Sequence, residues 1–190
     1  MRVIQVNEPS QRDACLARLC ADTYGSQSGL TPLLRFAGVK GVLFEQQAAR
    51  VLALVDDSAR PVALALLVLD KANQGMSPML MVDLDTPTGS SPAMQLVNEL
   101  AQRAPLRVDA ADPADEERFH RAGIARWFTG PNGIRIGLSA EHPASGPDDL
   151  SPALSVDDAA VAQSLKQDRK LFEDYKQRFM AGLEDFPATL

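Results

Sequence analysis

Two apolar runs a few residues apart limit this chain more than any other feature. Val51-Leu52-Ala53-Leu54-Val55 and Val62 to Leu69 are almost unbroken by polar side chains, and a turn-forming stretch, Asp56-Asp57-Ser58-Ala59-Arg60-Pro61, separates them. Strands with one wetted face alternate apolar with polar residues, so continuous runs of this length read as strands covered on both faces. Leu and Ala alone would also suit a buried helix, but the short runs and the turn between them favour a β-hairpin. With helices expected on either side of it in the chain, a hairpin covered on both faces fits an α/β (α+β) domain with a mixed, mostly antiparallel sheet.

The rest of the chain supplies those helices. Ile4 to Val6 is a short strand, and Ser10 with Asp13 forms a capping signature ahead of Ala14, Leu16, Ala17, Leu19 and Cys20, predicting a helix over about 11–24. Thr31 before Pro32 opens a second helix. Met79 to Leu84 reads as a third meander strand, and Ser91 before Pro92 starts a helix carrying Met94, Val97, Leu100 and Ala101 on one face. Leu106 to Ala110 is a strand, Pro113 to Ala122 a charged helix closed by Gly123, and Ile124 to Thr129 with Ile134 to Leu138 a hairpin around Gly130-Pro131-Asn132-Gly133. The predicted order is βααβββαβαββ over residues 1–140. Residues 141–154 have the Pro, Gly, Ser and acid content of a linker. A single helix over 155–184 follows, with Ser155 and Asp158 as its capping signature. Its seam of Val161, Leu165, Phe172, Tyr175 and Phe179, interrupted at Asp168, either packs back on the parent domain or pairs with a second copy to form a homodimer.

Composition excludes several function classes. The net charge of −6 repels polyphosphate backbones, so no nucleic-acid partner is expected, and aromatic residues, at 5%, offer few stacking platforms for bases. No apolar run approaches the roughly 20 residues of a membrane helix, and the amino terminus lacks the pattern of a signal peptide, so a soluble, cytoplasmic protein with no membrane partner is expected. Cys15 and Cys20 would lie roughly 140° apart around a helix and do not bridge each other. With His120 and His142 as the only histidines there is no metal-binding spacing, and no metal is expected.

This element order, with the stretch Ala53 to Ala63 and with Arg121-Ala122-Gly123-Ile124 closing the late helix, resembles the GNAT (GCN5-related N-acetyltransferase) superfamily over about residues 2–139. The resemblance implies a pyrophosphate-binding Gln/Arg-x-x-Gly-x-Gly/Ala loop for acetyl-CoA, where backbone N–H groups at a helix start meet the anion. Thr86-Pro87-Thr88-Gly89-Ser90-Ser91 takes that place here; it keeps Gly89, replaces the basic or amide residue with Thr86 and ends in Ser91. Thr86, Thr88, Gly89, Ser90 and Ser91 are thus the implied cofactor-binding residues, although Pro92 removes one N–H from the first turn. Where many family members carry a proton-donating tyrosine, this chain has Phe119, which leaves neighbouring His120 as the acid on that helix. Asp83 and Asp85 alternate near the end of the last meander strand and stand where the family draws a general base for the acceptor amine. Two functions remain open: an acetyl-CoA-dependent N-acyltransferase acting on a small-molecule or protein amine, and a catalytically inactive GNAT-like binding or assembly module.

Overall fold

The computed structural model describes residues 1–84, 89 and 91–190. Four strands run antiparallel in sequence order: β1 (Arg2–Gln5), β2 (Ala49–Val55), β3 (Pro61–Leu69) and β4 (Met76–Asp83). Helix α1 (Pro9–Tyr24) and helix α2 (Thr31–Gly38), the latter extended by a π-helical turn over Val39–Phe44, lie between β1 and β2 in sequence. The two apolar runs are indeed a hairpin, paired with Ala53 opposite Leu64 and Leu54 opposite Ala63. Their side chains alternate between two cores. Ala53, Val55, Leu64, Leu66 and Val68 join α1 and α2, including Leu16, Leu19 and Phe36, on one face. Leu52, Leu54, Ala63, Ala65 and Leu67 join Leu96, Val97 and Leu100 on the other. Period-two alternation across a sheet covered on both faces is therefore why neither run tolerates a polar residue.

The second sheet contains β5 (Arg107–Ala110), β6 (Arg126–Thr129) and β7 (Arg135–Leu138), with β7 between the other two. Helix α3 (Pro92–Ala101) joins the sheets, and helix α4 (Pro113–Arg121) crosses from β5 to β6. Glu116 ties α4 to β7 through two hydrogen bonds from Arg135, at 3.0 and 2.8 Å, and that guanidinium holds its carboxyl below the usual carboxylate range.

Three local readings differ from the structure. Helix α1 is capped by Glu8, whose carboxylate accepts from Ser10 N and Gln11 N, and not by Ser10. The carboxy-terminal helix is two helices, α5 (Asp158–Gln167) and α6 (Arg169–Glu184), because Asp168 is extended at φ −123° and ψ 96° and caps α6 by accepting from Leu171 N. Asp157, not Ser155, caps α5. In each case a carboxylate outcompetes or interrupts the hydroxyl signature.

Residues 141–154 are tied to the body of the molecule. Lys71 N donates to Pro152 O and Leu154 N to Leu69 O, both at 2.9 Å. The Arg126 guanidinium donates to the carbonyls of Ser139, His142 and Ala144. His142 is buried against Gly75. The segment thus straps the second sheet to the turn between β3 and β4, and α5 and α6 then pack onto α1 and α2 with Leu165, Tyr175 and Phe179 facing inward. No helix among the described residues is long and apolar enough to cross a membrane.

Candidate functional site

The two sheets meet along β4 and β5 and then part. Met76 and Leu106 form one parallel bridge, with Met76 N donating to Pro105 O at 2.9 Å, and no further β4–β5 pairing occurs among the described residues. Local chemistry explains the parting. Pro78 has no N–H to offer a ladder, and the register between β3 and β4 slips beside it, with Leu66 opposite Leu80 but Leu67 opposite Pro78. Proline and bulges belong at sheet edges, so β4 is built as an edge. The result is an unpaired stretch of β4 beyond this bridge that ends at Asp83, beside the start of α3.

There Asp83 is hydrogen-bonded to the start of α3. Its Oδ1 accepts from Ala93 N at 2.6 Å, and Ser91 Oγ lies 2.9 and 2.7 Å from its two oxygens as hydroxyl donor. Ser91 Oγ in turn accepts from Met94 N at 3.3 Å, which makes Ser91 the N-cap of α3. Gly89 stands in the left-handed region at φ 115° with open space around it. Asp85, Thr86, Thr88 and Ser90 lie outside the described residues.

Between α3 and α4 runs a groove of about 500 Å³ lined by Gly89, Ser91, Met94, Asn98, Arg118 and Arg121. Both arginines are mostly exposed and already paired on their own helix, Arg118 with Asp115 and Arg121 with Glu117. Phe119 is buried in the core beneath α3, whereas His120, one step of about 100° around the helix, is exposed. The structure therefore brings Gly89, Ser91 and Asp83 together at one helix start and leaves His120 on an outer face of α4.

A second groove, of about 470 Å³, went unnoticed in the sequence. Val68 and Met79, from the face covered by α1 and α2, line it together with Arg107, Asp109, Ile136 and Leu154. Arg107 and Asp109 alternate with Val108, which belongs to the opposite core, so this groove opens on the face away from α3. Arg107 donates twice to Asp109, at 3.0 and 3.3 Å. The alternation of Arg107, Val108 and Asp109 was the available signal, but the strap that walls the groove arrives from more than 40 residues later, as the contact of Arg107 with Ser151 O shows.

The resemblance implies coenzyme A, and the first turn of α3 does not fit its pyrophosphate. A diphosphate at a helix start needs free N–H donors and no competing anion. Here Pro92 has no N–H, Ala93 N is taken by Asp83, Met94 N by Ser91, and a carboxylate already stands at the positive end of α3.

No family model and no curated protein matches the sequence. Among solved structures the chain is similar to an aminoglycoside 6'-acetyltransferase type Ii, with a TM-score of 0.50 and 17% identity over 76% of this chain and 99% of that one. It is also similar, at a TM-score of 0.47 and 13% identity, to the GNAT family N-acetyltransferase YhbS from Escherichia coli in complex with CoA, over 76% of this chain and 86% of that one. The likeness to the first of these spans nearly the whole of that chain and is one of fold. The chain has the fold of the GNAT acetyltransferases.

Proposed function

We propose that the protein is a binding module built on the acetyltransferase fold and that it does not transfer acetyl groups. The observation that carries this reading is the environment of α4. At the position where the resemblance implies a phenolic proton donor, Phe119 presents a phenyl ring, 9% exposed and packed into the core. A phenyl ring has no proton to give, and His120 beside it is directed outward into solvent. Asp83, the implied base, is already engaged in anchoring the start of α3, where it accepts from Ala93 N and Ser91 Oγ. The groove between α3 and α4 and the groove beside Arg107 are the surfaces on which such a module would receive its ligand.

The test is release of free thiol from acetyl-CoA in the presence of aminoglycoside, polyamine and peptide amines. No amine-dependent release is expected; sustained turnover with any of the three overturns the reading. A second reading, an acetyl-CoA-dependent N-acyltransferase with Asp83 or Asp85 as base, is favoured by one feature, the unpaired stretch of β4 and β5 beyond Met76 and Leu106.

A further inference from the structure

Ten residues long, α3 is enough of a helix to carry a substantial positive end, and the destination of each donor in its first turn is known. Pro92 contributes none. Ala93 N goes to Asp83 Oδ1 at 2.6 Å, Met94 N to Ser91 Oγ at 3.3 Å and Gln95 N to Ser91 O at 3.0 Å. Ser91 spends its hydroxyl proton on the same Asp83 carboxylate. Asp83 therefore occupies the place an external anion would take: it neutralises the helix end, accepts the N–H that points out of it and adds a full negative charge there.

We infer that the α3 terminus of this protein is closed to phosphate ligands by Asp83, which acts as a resident anion where the fold family seats a diphosphate. Two consequences of the geometry act in the same direction. An incoming diphosphate finds no free donor in the first turn, and it must approach a carboxylate of its own sign. The groove between α3 and α4, with Gly89, Asn98 and Arg121 along it, still opens beside that terminus, so Asp83 blocks a place that the backbone leaves accessible. The inference concerns anion binding alone and holds whether or not the protein turns over a substrate.

Isothermal titration of the intact protein with coenzyme A and, separately, with inorganic pyrophosphate tests it on the wild type, Asp83→Asn and Asp83→Ala. Asparagine keeps an oxygen that can accept from Ala93 N, so Asp83→Asn preserves the cap and the fold while removing the charge; its unfolding midpoint verifies this. Both ligands are expected to bind the variants tighter than the wild type by about tenfold or more, through loss of the like-charge contact in both variants and, in Asp83→Ala alone, a charge-assisted hydrogen bond from the freed Ala93 N–H. Alanine, which also frees the donor, should gain more than asparagine. Equal affinities in wild type and folded Asp83→Asn overturn the inference, as does a wild type that already binds as tightly as the variants. A gain for coenzyme A without one for pyrophosphate overturns it too, since the improvement would then lie outside the anion site. Thiol release from acetyl-CoA by the wild type would refute the module reading while leaving this comparison of affinities intact.

Discussion

Phe36 of α2 and Phe179 of α6 meet edge to face, with ring centroids 5.5 Å apart and planes at 68°. Phe36 is completely buried, so the last helix supplies part of the shell of the main core. Around this pair Gly182 lets α6 approach α1, its missing Cβ being 3.0 Å from Ala17 Cβ, and Arg35 pairs with Asp158 at 2.9 Å. Phe179→Ala is expected to lower unfolding stability by about 2–4 kcal/mol through lost burial and the cavity beside Phe36. Urea titration followed by circular dichroism measures it. Truncation at Ser151 removes the whole shell and should leave a chain that aggregates, visible by light scattering.

Gly75 and His142 form the tightest joint between the strap and the β3–β4 turn. A Cβ on Gly75 would stand 2.6 Å from His142 Nε2 and 2.9 Å from Pro105 O, and the latter is backbone that also accepts from Met76 N. Gly75→Ala should therefore cost about 1–3 kcal/mol, the range for overpacking, and loosen the Met76–Leu106 bridge between the two sheets. A lower thermal midpoint, with faster amide exchange at Met76, is the expected result.

His142 also predicts a pH dependence. Burial lowers its pKa from the ordinary 6.5, opposed by the nearby Asp70 carboxylate and reinforced by Arg126 and Arg107. The folded state thus prefers neutral imidazole, with Nδ1 accepting from Ala144 N. Below the unfolded-state value the unfolded chain binds the proton first, so stability is full above about pH 6.5 and falls as the pH drops toward the lower folded value. Midpoints measured between pH 8 and pH 5 should show this decline for the wild type and a shallower one for His142→Gln.

Cys15 and Cys20 lie on α1 with no exposed surface, and burial pushes both thiols up to about 12. Thiolate is the reactive form, so neither should react with a disulfide reagent at pH 8 in the folded protein. Both should react on unfolding in guanidinium, and the rate of labelling without denaturant then reports opening of the core.

Much of the architecture was legible because it is written in short-range patterns. The runs at 51–55 and 62–69, the Ser91-Pro92 helix start and the turn at 130–133 each carry their signal within a few residues, and each appears where it was expected. The caps show the limit of such signals: Glu8 and Asp157 each lie two residues from the hydroxyl that fits the pattern, and a carboxylate is the stronger acceptor. The site was harder. Asp83 was singled out as a strand-end acid, but its attachment to Ala93 depends on how β4 and α3 are set against each other across residues 84–92.

By itself the sequence determined where most of the strands and helices lie, that the central hairpin is covered on both faces, and that Ser91 before Pro92 starts a helix. Only the tertiary structure decided that residues 141–154 are a strap, that the last two helices complete the core, and that the carboxylate of Asp83 fills the start of α3. The physical reason is range: periodicity and propensity act between neighbours along the chain, whereas a donor's partner is chosen by whatever the fold brings within 3 Å of it.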